Sequence, residues 1–127
     1  MMVPEVKVQL LDALRSGEYE KGTGFLKKDS YEGSTPLYCC LGVLSDLASK
    51  QGICNPFVKN EGGAGYLIKE MVKDSAGFEY EEHHGAYLSD KVAAWSGLSN
   101  DDQVTLANIN DSSTGFGEVI EYIDTNL

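Results

Sequence analysis

The run Tyr38-Cys39-Cys40-Leu41-Gly42-Val43-Leu44-Ser45-Asp46-Leu47 sets two adjacent thiols where an apolar helix should begin. A helix N-terminus stabilises a thiolate through the helix dipole, and an imidazole within reach can take the thiol's proton. Cys39 or Cys40 with His83 or His84 therefore meets the elementary needs of acyl transfer on sulfur. Burial is the competing role. Cysteine is among the most buried residue types, and Cys40 lies in helical phase with Val43, Leu44 and Leu47, which puts it in a core. Cys39 lies off that phase and is the better nucleophile candidate.

A cysteine opening a helix, with a histidine arriving later on a strand, is the layout used by papain-like and cell-wall-peptidase-like hydrolases. A metal fits less well. Cys-x-x-Cys is absent, adjacent cysteines rarely ligate one ion together, and His83-His84 lacks the usual zinc spacing. Asn110, Ser112, Thr114, Gly115 and Glu121 occupy the register of a calcium-hand loop, but the first position lacks its aspartate and the carboxylates are too few for a hard dication. Residues 110–114 read instead as a turn followed by an N-cap. Neither a metal nor a cofactor is expected. Gly22-Thr23-Gly24 and Gly62-Gly63-Ala64-Gly65 lack the lysine of a phosphate loop and read as turns. Positive charge does gather near the first of them, at Arg15, Lys21, Lys27 and Lys28. A nucleotide-binding role would use Arg15, Tyr19, Lys21, Thr23 and Lys27, at a symmetric interface if the chain is a homo-oligomer. The tyrosines Tyr19, Tyr31, Tyr38, Tyr66, Tyr80, Tyr87 and Tyr122 are numerous for this length, and those in loops offer a protein-binding surface.

The elements that must position these groups follow from pattern. Val3, Val6, Leu10 and Leu14 recur at helical spacing, Pro4 suits a first turn, and Ser16-Gly17 supplies a stop. A short strand over 23–27 is expected to pair with Leu37-Tyr38-Cys39 across a turn between 29 and 35. From Cys40 the apolar face of a second helix runs to Gly52. Tyr66-Leu67-Ile68 and Met71-Val72 are expected in a short third helix. Phe78-Glu79-Tyr80-Glu81 alternates with period two and should form a small hairpin with Ala86-Tyr87-Leu88, the turn holding His83-His84-Gly85. Ser89 should cap a helix carrying Trp95 and ending at Gly97, and Ser99 should cap another with Asp101 and Asp102 in its first turn. Phe116, Val119, Ile120 and Ile123 mark a last helix beginning near Thr114.

At 127 residues, with no internal repeat or linker, the chain reads as a single domain, 1–127. The expected fold is α+β, predominantly α-helical, with five or six helices and one or two short β-hairpins. Twenty acidic against ten basic residues give a net charge of −10, which disfavours nucleic acid as a direct partner. No signal sequence or membrane-spanning run is visible, and three cysteines make no secreted disulfide framework, so a soluble cytoplasmic protein is expected.

Four motifs occur in order: Leu14-Arg15-Ser16-Gly17-Glu18-Tyr19-Glu20-Lys21-Gly22-Thr23-Gly24-Phe25-Leu26; the dicysteine run above; Leu88-Ser89-Asp90-Lys91-Val92-Ala93-Ala94-Trp95-Ser96-Gly97-Leu98; and Leu106-Ala107-Asn108-Ile109-Asn110-Asp111-Ser112 before Phe116. With them the chain resembles a family of small uncharacterised proteins from bacteriophages, prophages and actinobacteria. The resemblance implies a viral or mobile-element accessory protein that binds a host protein or a small ligand in the host cytoplasm and interferes with host defence. It also implies a third cysteine in relatives where this chain has Ser45, and length variation within 53–84. A catalytic base at His83 or His84 would then sit in the family's most variable segment. A non-enzymatic binding protein is thus the leading expectation; a cysteine hydrolase or transferase and a nucleotide-binding sponge are the alternatives.

Overall fold

The structure, a computed structural model, describes residues 1–30 and 35–127. Tyr31 and the centre of the turn expected between 29 and 35 lie outside the described residues. Helix α1 (Pro4–Arg15) starts on its proline and ends before Gly17, which turns the chain at a φ of 79°. Helix α2 (Cys40–Lys50) lies at the centre, with Cys40, Leu41, Gly42, Val43, Leu44 and Ser45 all buried in succession. A helix hydrophobic around its girth must be covered on every side. Three further helices, α3 (Asp90–Ser96), α4 (Asn100–Ser112) and α5 (Gly117–Asn126), complete the helical body. Helix α2 packs on α1, α3 and α4, while α5 closes against α1 and α4. Leu10, Leu44, Leu106 and Ile123 are among the large side chains sealed inside.

The capping chemistry explains the punctuation. The Ser89 hydroxyl accepts from the Val92 amide, and Ser99 and Asp102 form a reciprocal capping box. Gly97 takes the left-handed conformation after α3, and a side chain there would also meet the Met1 carbonyl at 2.6 Å. The last helix starts at Gly117, later than its apolar pattern predicts. The Ser112 and Ser113 hydroxyls donate back to carbonyls of Asn108 and Ile109, so α4 runs on through the expected turn. Among the described residues no helix is long and apolar enough to cross a membrane.

Six short strands make two three-stranded sheets among the described residues. In the first, β1 (Glu20–Lys21) and β2 (Lys27–Asp29) flank β3 (Pro36–Tyr38), β1 parallel and β2 antiparallel to it. The strand expected over 23–27 therefore lies further along the chain, with Lys27 opposite Tyr38. In the second sheet β5 (Tyr66–Lys73) pairs with both β4 (Val58–Lys59) and β6 (Glu79–His84). The third helix expected over 66–72 is thus a strand. Ile68 and Glu70 are buried and alternate with more exposed neighbours, a period-two face that the short apolar run had masked. Strand β6 forms where alternation predicts, but its partner is β5, not 86–88, and His83 and His84 lie in the strand instead of its turn. The fold is α+β, at 43% helix and 20% strand among the described residues, not predominantly helical.

Contacts at Asp29 and Leu26 tie the sheets to each other and to α2. The Tyr66 hydroxyl donates to Asp29 Oδ1 at 2.9 Å while Lys59 Nζ lies 2.9 Å from Asp29 Oδ2, joining β4 and β5 to β2. Gly42 lets the chain at Leu26 cross α2, because a Cβ there would fall 1.6 Å from the Leu26 carbonyl oxygen. The Leu26 amide in turn donates to the Gly85 carbonyl at 2.7 Å.

Candidate functional site

Cys39 is the N-cap residue of α2 and Cys40 its first residue, so both thiols stand at the positive end of a helix. Their surroundings oppose the dipole. Cys39 is 5% and Cys40 1% exposed. Desolvation pushes the Cys39 thiol up to about 11, against the lowering pull of the Gly42 and Leu41 amides, and drives Cys40 still higher. The Cys40 thiol meets the Leu106 carbonyl at 3.8 Å, and Cys54, the third free cysteine, lies 3.7 Å from the Ser45 carbonyl.

A cavity of only about 50 Å³ opens beside Cys39, lined by Gly24, Ala86, Tyr87, Ala107 and Asp111. No imidazole reaches it. His83 Nε2 lies 2.8 Å from Glu81 Oε1, and His84 Nε2 lies 3.7 Å from Glu82 Oε2. Among the described residues no hydrogen bond joins either histidine to a cysteine, and no group of three or more Cys, His, Asp or Glu is placed to hold a metal ion.

Asn110 explains why the dicysteine turn and the Asn110-Asp111 motif belong together. Helix α2 has no side-chain cap of its own, and Asn110 supplies one from α4: its Oδ1 accepts from the Cys40 amide at 3.1 Å. The Asn110 Nδ2 donates to the Gly22 carbonyl at 3.0 Å and to Asp111 Oδ1 at 3.1 Å. One wholly buried amide thus fastens α4, the start of α2 and the Gly22 turn. In the calcium-hand register Asn110 and Ser112 would be loop ligands, whereas both are residues of α4.

The residues expected to hold a nucleotide are spread over several contacts. Arg15 is exposed at the end of α1, and Thr23 is half-buried in the turn after β1. Lys21 Nζ donates to the Ser113 carbonyl. The Tyr19 hydroxyl donates to Asp46 Oδ2 at 2.6 Å and receives Lys50 Nζ at 3.3 Å. Burial, then the bond to Asp46, pushes the Tyr19 phenol up to about 12. Lys27 lies over the rings of Tyr66, Phe57 and Tyr38 at 4.5, 5.4 and 5.5 Å, and Tyr38 meets Tyr19 edge-on at 5.0 Å. Tyr19 and Lys27 therefore share one aromatic cluster, with Lys27 already its cation.

A different surface stands out on the β5–β6 hairpin. Register puts Ile68 opposite His84, Glu70 opposite Glu82 and Val72 opposite Tyr80, so these six share one face. At the hairpin's base that face is interior. Ile68 is fully buried, and the Glu70 carboxylate accepts from the Asn55 amide at 3.0 Å and from Lys91 Nζ at 3.2 Å. Further out the body ends and the face does not. Tyr80 is 48% and Phe78 72% exposed. The tip is pinned: Asp74 Oδ1 accepts from the Ala76 and Phe78 amides at 2.9 and 3.0 Å. Phe78 and Tyr80 were visible in the sequence as an alternating pair, but only the pairing with β5 shows that their face continues a buried one.

The family described as "Domain of unknown function (DUF8296)" matches residues 2–127, which takes in the buried thiols, Asn110 and the hairpin alike. The chain belongs to this family. No curated protein and no solved structure matches it significantly. In this DUF8296 member the cysteines are buried in the core, and an apolar stripe lies exposed on an acidic arm. The first arrangement is poor at nucleophilic chemistry, and the second is suited to contact.

Proposed function

We propose that the protein is a non-catalytic binder that docks a protein partner on the outer half of the β5–β6 hairpin. The observation that carries this reading is the stripe Val72, Tyr80 and Phe78, which continues a buried face beyond the body that covers it. Aromatic side chains on a pinned strand offer large contact area at low entropic cost. Glu82 shares the stripe's face and Asp74 stands at its tip, on a chain of net charge −10, so the complementary partner presents an apolar pocket with a basic rim. The resemblance to phage and prophage proteins supports a partner in a host bacterium, and interference in host defence is the role proposed for that contact.

The test compares proteins retained from host lysate by the wild type, by Phe78→Ser/Tyr80→Ser, and by Val8→Ser, which removes an exposed apolar residue of α1. Loss of both rings should weaken a specific contact by about 3–4 kcal/mol, several hundred-fold. A partner held by the wild type and Val8→Ser but lost by the hairpin variant supports the reading. Identical sets from all three refute it.

A further inference from the structure

The opposite face of the same sheet carries an open cleft of about 510 Å³, within the usual range for small-molecule sites. Its construction follows from register. Val58 lies opposite Leu67, and Lys69 opposite His83, so an apolar pair and a basic pair stand side by side on one surface. The turn residues Asn60 and Gly62 form part of the wall.

The polar groups there have spare capacity. Lys50, Lys59, Lys73 and Lys91 each face a carboxylate, whereas the Lys69 ammonium makes no ion pair or hydrogen bond among the described residues. In a chain with twice as many acids as bases, an uncommitted ammonium in a cleft is unusual. The Asn60 backbone closes its turn by accepting from Gly63 and donating to Gly65, which leaves its side-chain amide available. One nitrogen of the His83 ring faces Glu81, and the other is not engaged. Ammonium, imidazole and amide beside an apolar shelf suit an anion rich in acceptor oxygens attached to a flat or apolar body. Glu61 in the same lining and Glu81 behind His83 limit the negative charge the cleft accepts, which favours one phosphate group over several.

We propose that this cleft binds a phosphomonoester of the size of a nucleoside monophosphate, its phosphate on Lys69, His83 and Asn60 and its body on Val58 and Leu67. The site is separate from the apolar stripe and does not depend on protein docking there.

Amide NMR titrations of the whole chain with adenosine 5′-monophosphate, inorganic phosphate and adenosine test it. The nucleotide should shift the signals of 58–62, Leu67, Lys69 and His83 saturably at millimolar concentration, and bind more tightly than phosphate or adenosine alone. Lys69→Gln, at a half-buried position, should weaken binding by about tenfold or more, the loss of one charge-assisted bond. Lys73→Gln, further along the same face and outside the cleft, and Phe78→Ser/Tyr80→Ser should both bind as the wild type does. Failure of the nucleotide to saturate these signals, saturation at another surface, or undiminished binding by Lys69→Gln would overturn the proposal.

Discussion

Native alkylation decides most directly between a core thiol and a catalytic one. Burial moves Cys39 from the ordinary thiol value of 9.0 to about 11, a shift of two pH units and so a hundredfold smaller thiolate fraction. At pH 7 that fraction is about one in ten thousand, and the thiolate is the reacting species. Access compounds the loss, since the cavity of about 50 Å³ beside Cys39 leaves room for little more than a water molecule. Iodoacetamide should therefore modify Cys39 at least about a hundredfold more slowly than an unstructured cysteine peptide across pH 5–9. Cys40 should be slower still. Peptide mass spectrometry reads each thiol separately, and urea-unfolded protein gives the unprotected rate. Fast modification of Cys39 in the folded protein, with an apparent pKa below about 8.5, would refute the burial argument and return His83 and His84 to consideration as its base.

Replacing Asn110 with Ala should lower stability by about 3 kcal/mol in urea denaturation, because the buried Cys40 amide and Gly22 carbonyl both lose their partner. Asn110→Asp keeps an acceptor for Cys40 but sets a carboxylate against the Gly22 carbonyl and Asp111, so it should not restore stability. Gly42→Ala should cost more than about 3 kcal/mol, or prevent folding, since the Leu26 carbonyl cannot withdraw without breaking the Leu26–Gly85 bond. Gly52→Ala, with φ at +76° and open space around it, should cost only about 1 kcal/mol. Stability should also fall in alkali. Cys39 and Tyr19 have raised folded values, so the stability they contribute is intact below their unfolded values near 9 and 10 and is lost as pH rises through about 11 and 12. The Cys39 part amounts to about 3 kcal/mol, and thermal melts between pH 7 and 11 should show the decline beginning near pH 9.

The helical half of the fold was legible because its signals are local. Ser89, Ser99 and Asp102 cap within three residues of themselves, and Pro4 and Gly97 act on their own backbone. The second sheet was not, because Tyr66-Leu67-Ile68 is a strand only by virtue of β6, and nothing in a short apolar run separates it from a buried helix turn. The same distinction divides the candidate sites. Burial of Cys40 could be read from its phase with Val43 and Leu44, but burial of Cys39 depends on Gly24, Ala86 and Ala107 arriving from three other segments. The aromatic stripe and the cleft are products of cross-strand register, which pairs Tyr80 with Val72 and Lys69 with His83.

The Asn110 cap has a consequence for the order of events during synthesis. A ribosome delivers α2 seventy residues before the amide that satisfies the first amide of that helix. Until residue 110 has left the exit tunnel, the central helix of the body has an open start, and the Gly22 turn has nothing to fasten it. Folding that begins at the N-terminus would thus stall at a frayed α2, and the last fifth of the chain, which also brings Val119 and Ile123 of α5, would trigger consolidation of everything before it.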